Sequence, residues 1–300
     1  NAPLEVTDTL TDSSDITILN ALEDGDGSNS GTTGGIQAAA DLSHTNAKAI
    51  TLSNKALTID IQSGSLDLAE IESIQNTSSI AIGLSGTAKV VDSLADLGTK
   101  STVLQALITG DSNAPVELSD GELTTTTQLD ALDDALQIVG TGGIKASVTQ
   151  TSSNITSKLS NASSSDNITY KITSNINVAD TNTIVGKTSQ STITLDTGYK
   201  LADSLSNLMD GSGSLKAAAA TAADAFASNP NVVVDAITSG NLTTANITDL
   251  NGLVSSDKVA NVSANITDTD GTKILAGTHV LSVGDSDEFV VDTGTYAMTG

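Results

Sequence analysis

Apolar positions in this 300-residue chain alternate with polar ones over short runs and then, a few residues on, recur three apart. Residues 116–132, VELSDGELTTTTQLDAL, show both periods. Val116 and Leu118 flank a polar residue as in a half-buried strand, and Leu129 and Leu132 lie one helical turn apart. Asp120-Gly121 stands between them, where glycine tolerates positive φ and an aspartate can bond the backbone two residues on. The same order of strand, turn and short amphipathic helix is predicted at 6–22 (VTDTLTDSSDITILNAL), 59–74 (IDIQSGSLDLAEIESI), 193–208 (ITLDTGYKLADSLSNL) and 232–250 (VVVDAITSGNLTTANITDL). Leu19/Leu22, Ile71/Ile74 and Ile247/Leu250 are the closing pairs, and 289–298, FVVDTGTYAM, reads as the opening of a further copy.

A second element lies between these copies. Residues 82–94, IGLSGTAKVVDSL, read as a strand passing through Gly86-Thr87 into a helix, with Thr87 as N-cap and Gly98 as the stop after Leu97. Residues 148–159, VTQTSSNITSKL, follow the same outline. Residues 215–227, LKAAAATAADAFA, form the strongest helix by propensity, with Ser214 as cap. No copy can bury its apolar side alone, so neighbours must stack. The expected fold is a β-rich repeat array, an elongated parallel β-solenoid-like stack with short inserted helices. Its approximate copies are 1–55, 56–114, 115–191, 192–230, 231–288 and a partial 289–300. A row of small β-sandwich domains is the alternative, weakened by the missing buried aromatic per domain.

Composition narrows the function more than the fold. The formal net charge is −24, from 36 acidic residues against 12 basic ones, and all twelve are lysine. A chain without arginine and with this balance repels phosphate backbones, so no nucleic-acid partner is expected. The absence of cysteine excludes disulfides and cysteine-based zinc or nucleophile chemistry. High Ser/Thr content, few aromatics and strong charge point toward disorder, but Leu, Ile, Val and Phe make up about a quarter of the chain, above the roughly 20% floor. The chain is expected to fold around small aliphatics. No run of about 18 apolar residues is present, so membrane insertion is not expected. Asn1-Ala-Pro-Leu carries neither an initiator Met nor a signal pattern, which suggests a piece of a longer chain.

The stretches 116–123 (VELSDGEL) and 84–91 (LSGTAKVV) resemble the tandem repeats of giant surface proteins of marine cyanobacteria and other Gram-negative bacteria. That resemblance implies an extracellular or cell-surface protein, often type I exported, with adhesin-like, surface-layer (S-layer) or motility roles and no catalytic residues. Its partners would be like molecules, neighbouring repeats of the same chain, the cell envelope or the extracellular matrix.

Calcium is the sharpest ligand expectation. Asp24 and Asp26 sit in Glu23-Asp24-Gly25-Asp26-Gly27-Ser28-Asn29, where oxygens alternate along a loop as a hard cation requires. Asp268 with Asp270, and Asp285 with Asp287, form two further short clusters. The EF-hand spacing fails, because the sixth position is Asn29 and the twelfth is Gly35. His44 lies in a polar stretch predicted as loop and His279 in a strand-like run, neither near an acid–nucleophile arrangement. No P-loop, GxSxG or HExxH motif occurs. The expected function is therefore a non-catalytic structural or adhesive module of an extracellular repeat protein. A viral or phage fibre or decoration protein is the alternative, and a β-helix polysaccharide-active enzyme a remote one.

Overall fold

Residues with the two-fold alternation become strands, and those with apolar positions three apart become helices, in a computed structural model that describes residues 4–24, 36–50, 57–78, 81–190, 193–226, 233–237, 244–258, 261–267 and 288–292. The chain divides into two units, one comprising 1–147 and 159–168, the other 148–158 and 169–300.

In the first unit β1 (Leu4–Leu10), α1 (Ser13–Asp24), β2 (Ile36–Ser43), α2 (His44–Ala47) and β3 (Leu57–Ser63) are followed by β4 (Ser65–Leu66), α3 (Leu68–Ser78), β5 (Ala81–Leu84) and β6 (Lys89–Asp92). Then come α4 (Leu94–Thr99), α5 (Ser101–Gly110), β7 (Val116–Leu118), α6 (Thr126–Ile138) and β8 (Ile144–Gln150), whose last residues enter the second unit. Two parallel runs of strands result, β1-β2-β3-β5 and β4-β6-β7-β8. In the first run Ile59 lies opposite Ala40 on one side and Ile82 on the other. In the second, Val90 lies opposite Val116 and Val116 opposite Ile144. These Val and Ile side chains are buried, as are Leu104, Leu107, Leu129 and Leu132 on the inner faces of α5 and α6. Branched aliphatics opposite one another in adjacent strands pack without aromatics.

The second unit contains α7 (Ser152–Lys158), most of β9 (Asn167–Ile172), α8 (Val178–Val185), β10 (Thr194–Leu195), β11 (Leu201–Ser204) and α9 (Leu205–Leu208). It continues with α10 (Ala217–Asp224), β12 (Val233–Ile237), α11 (Thr244–Val254), β13 (Asn261–Thr267) and β14 (Glu288–Asp292). β9 pairs parallel with β10, and β11-β12-β13-β14 form a four-stranded parallel sheet. Tyr170 and Phe226 are fully buried here.

The architecture is thus parallel sheets with interspersed helices. A helix follows so many of the strands that the expected β-rich array is an α/β mixture. Every pairing between named strands among the described residues is parallel, whereas a sandwich domain is built from antiparallel sheets.

Several local expectations need correcting. Gly86-Thr87 is a turn between β5 and β6 and does not begin a helix. Gly86 has φ +59, and a Cβ there would lie 2.5 Å from the Gln62 carbonyl oxygen, so only glycine lets the corner pass so close to the neighbouring strand β3. Val90 and Val91 then favour a strand over a helix, and the cap of α4 is Ser93, whose side chain accepts from Asp96 N. Gly98 lies within α4 and does not follow it. α10 starts at Ala217 with Lys216 at the N-cap position and no side-chain capping bond, so Ser214 is not its cap. His44 opens α2 and is not in a loop.

Candidate functional site

The first N–H groups of a helix have no partner within it. At four helices one such group is satisfied by a side chain on, or just past, a later parallel strand. Leu68 N, at the start of α3, donates to Asp92 Oδ2 at 2.8 Å, 24 residues on. Leu94 N, at the start of α4, donates to Asp120 Oδ2 at 2.5 Å, 26 residues on. In the second unit Ser152 N of α7 donates to Ser174 Oγ at 3.1 Å, 22 residues on. Val178 N of α8 donates to Asp203 Oδ2 at 3.0 Å, 25 residues on.

The strand register explains why these partners meet. Leu66 lies opposite Val90, and two residues further along each strand are Leu68 and Asp92. Ile176 bridges Leu201, and two residues further are Val178 and Asp203. Parallel pairing keeps both chains in step, so at these joints the residue two past a paired position reaches the neighbouring helix start.

Asp92 and Asp203 each do this twice over. Asp92 Oδ1 accepts from Ser93 N at 2.8 Å, and Asp203 Oδ1 from Ser204 N at 2.7 Å. Ser93 and Ser204 in turn cap α4 and α9 by accepting from Asp96 N and Asn207 N. One carboxylate thereby ends its own strand, holds the capping serine and closes the preceding helix. Asp92 is buried, at 8% exposure, so its bonds are made out of competition with water.

Other side chains tie segments more than 20 residues apart in the same way. In the first unit Leu84 N donates to Asp111 Oδ2 at 2.7 Å and Ile144 N to Asp166 Oδ1 at 2.9 Å. Asp133 accepts from Asn161 N at 2.7 Å and from Ser160 Oγ at 2.9 Å. Lysines add ion pairs: Glu117 on β7 takes Lys89 from β6 at 2.5 Å and Lys145 from β8 at 2.9 Å. Those two lysines hold the Glu117 carboxyl below the usual glutamate range. Lys100 pairs with Glu72, which raises the lysine above its ordinary value. In the second unit Lys171 pairs with Asp196 at 3.2 Å and Lys258 with Asp224 at 2.5 Å.

The second unit also holds a buried carboxylate clasp. Asp249 of α11, at 5% exposure, accepts from Gly211 N at 3.1 Å and Gly213 N at 3.0 Å. Both glycines have φ near +90°, and their two N–H groups converge on one carboxylate oxygen.

The carboxylates that form these joints are not the ones expected to bind calcium, whose side chains fall outside the described residues. Asp24 is the last residue of α1, and its side chain lies outside the described residues, as do Asp26, Asp268, Asp270, Asp285 and Asp287. Among the described residues no group of three or more His, Asp or Glu side chains could hold a metal ion, and no helix is long and apolar enough to cross a membrane. His44 opens α2, while His279 lies outside the described residues.

The joint residues Asp92, Asp120, Ser174 and Asp203 are not marked by local periodicity. A signal does exist for two of them: DSLADL at 92–97 and DSLSNL at 203–208 are nearly the same word. No protein-family model matches the chain, and neither a curated protein nor a solved structure does. The joints themselves therefore carry the functional argument.

Proposed function

We propose that the chain is a non-catalytic structural or adhesive repeat module of an extracellular, cell-surface or secreted protein, its parallel strands wound as an elongated solenoid-like stack. The observation that supports this is the recurrent joint, in which four helix starts, those of α3, α4, α7 and α8, are each closed by an oxygen 22 to 26 residues on. A chain built so that each piece is completed by its neighbour suits extension by repetition. The negative charge keeps such an array soluble, and marine-level salt screens it within less than about 10 Å. Its partners are neighbouring repeats, like molecules and the cell envelope or matrix.

Two measurements test the reading. Small-angle scattering of the purified chain is expected to give a rod-like profile, and a compact sphere would sink the solenoid. Antibody against the chain is expected to label intact producing cells or their medium. Labelling that appears only after permeabilisation overturns the extracellular assignment.

A further inference from the structure

Asp120-Gly121 and Asp210-Gly211 are the two Asp-Gly pairs with both residues described, and the structure treats them in opposite ways. At the second pair the reactive groups are occupied. Asp210 Oδ1 accepts from Ser212 N, Ser212 Oγ and Ser214 N, and these donors hold its carboxyl below the usual aspartate range. The Gly211 N–H is also committed, to Asp249 Oδ1. At the first pair one bond among the described residues, from Leu94 N, holds the carboxylate. Gly121 is exposed, its N–H donates to none of the described residues, and a Cβ there would meet nothing within 4 Å.

We propose that Asp120-Gly121 is a site of spontaneous aspartate isomerisation, which breaks the joint between Asp120 and Leu94 as the protein ages. The Gly121 nitrogen attacks Asp120 Cγ, and the N–Cγ bond forms. The Cγ–O bond of the protonated carboxyl breaks, the amide proton leaves, and one water departs. Water then opens the five-membered imide. Attack at Cγ restores aspartate. Attack at the main-chain carbonyl breaks the original peptide bond and leaves the chain running through Cβ and Cγ, with the carboxylate now on Cα. Mass is unchanged over the whole sequence, and no oxidant or cofactor enters. Glycine favours the attack because no Cβ crowds the nitrogen. The product carboxylate sits one methylene away from its former place, so the Leu94 N–H at the start of α4 loses its acceptor.

The test is incubation of the folded chain in heavy-oxygen water, since each passage through the imide fixes one heavy oxygen in the carboxyl group. Cleavage after Lys100, Lys145, Lys200 and Lys216 places the two pairs on separate peptides. Three more hydrogen bonds must be broken at the second pair than at the first, so label is expected at least about tenfold faster at Asp120 than at Asp210. The variant Gly121→Ala is expected to remove most of the Asp120 label while leaving the melting of fresh protein unchanged, because its methyl group enters open space. Label at Asp210 that equals or leads that at Asp120 overturns the proposal. So does an unlabelled Asp120 over many half-lives of labelling in a free peptide of sequence 116–125.

Discussion

The two joints of the first unit and the two of the second share one geometry and differ in what accepts the hydrogen bond. In the first unit both acceptors are carboxylates, Asp92 and Asp120. In the second, Asp203 is a carboxylate and Ser174 a hydroxyl, and the hydroxyl bond, 3.1 Å, is the longest of the four. Position is therefore set by strand register, while strength is set by the residue that arrives there. A charge-assisted bond is roughly twice as strong as a neutral one. The same fold can thus carry firm and soft joints without any change in backbone path.

The largest way to break that comparison is Asp92→Ala. It strands two backbone donors, Leu68 N and Ser93 N, beside a buried position, and is expected to cost about 3 kcal/mol. Hydrogen exchange at α3 and α4 reads the loss, because all three tyrosines, at 170, 199 and 296, belong to the second unit. Asp203→Ala removes the matching bonds in the second unit from a half-buried residue, and about 2 kcal/mol is expected from tyrosine-monitored urea unfolding. Equal losses at Asp203 and Ser174 would show that charge is irrelevant at the joint.

Ser174→Ala is expected to cost about 1 kcal/mol, and Ser174→Asp to gain a similar amount by turning a soft joint into a firm one. A destabilised Ser174→Asp variant would mean that the site was shaped for a hydroxyl.

The smallest effect lies at the ion pairs. Glu117 has its folded value depressed by Lys89 and Lys145, so its contribution is fully present above the unfolded glutamate value and fades as pH falls through the folded one. Glu117→Gln is expected to cost only a few tenths of a kcal/mol at neutral pH, because both pairs are partly exposed. It is also expected to flatten the first unit's loss of stability in the acid range below about pH 4.5, the ordinary glutamate value. An unchanged acid profile would assign that loss to other carboxylates.

The elements were legible because they are local. The alternation at Val116 and Leu118 and the three-apart pairs such as Leu129/Leu132 announce strand and helix within a few residues, and both form where they are read. The boundaries failed where a distant partner decides. Leu215 is bridged antiparallel to Met209, and Lys216 N donates to Leu208 O, so the chain stays extended past Ser214 and the alanine helix starts late. Thr87 N is taken by Gln62 O from the neighbouring strand β3, which no window around residue 87 contains. The joints were illegible for the same reason. In sequence Asp92 falls within the stretch read as a helix after Thr87, and nothing nearby points to Leu68. The repeated DSL word carried the hint, but its meaning depends on a register that only the paired strands supply.

The direction of the joints has a consequence in time. Each acceptor lies downstream of the amide it serves: Asp92 after Leu68, Asp120 after Leu94, Ser174 after Ser152, Asp203 after Val178. A chain emerging with its N-terminus first can complete α3 only after 24 further residues have appeared, and then α4 only after 26 more beyond its own start. Synthesis thus closes the structure like a queue, each member waiting on the next. Peeling from the downstream side runs the queue backwards, exposing one open helix start at a time.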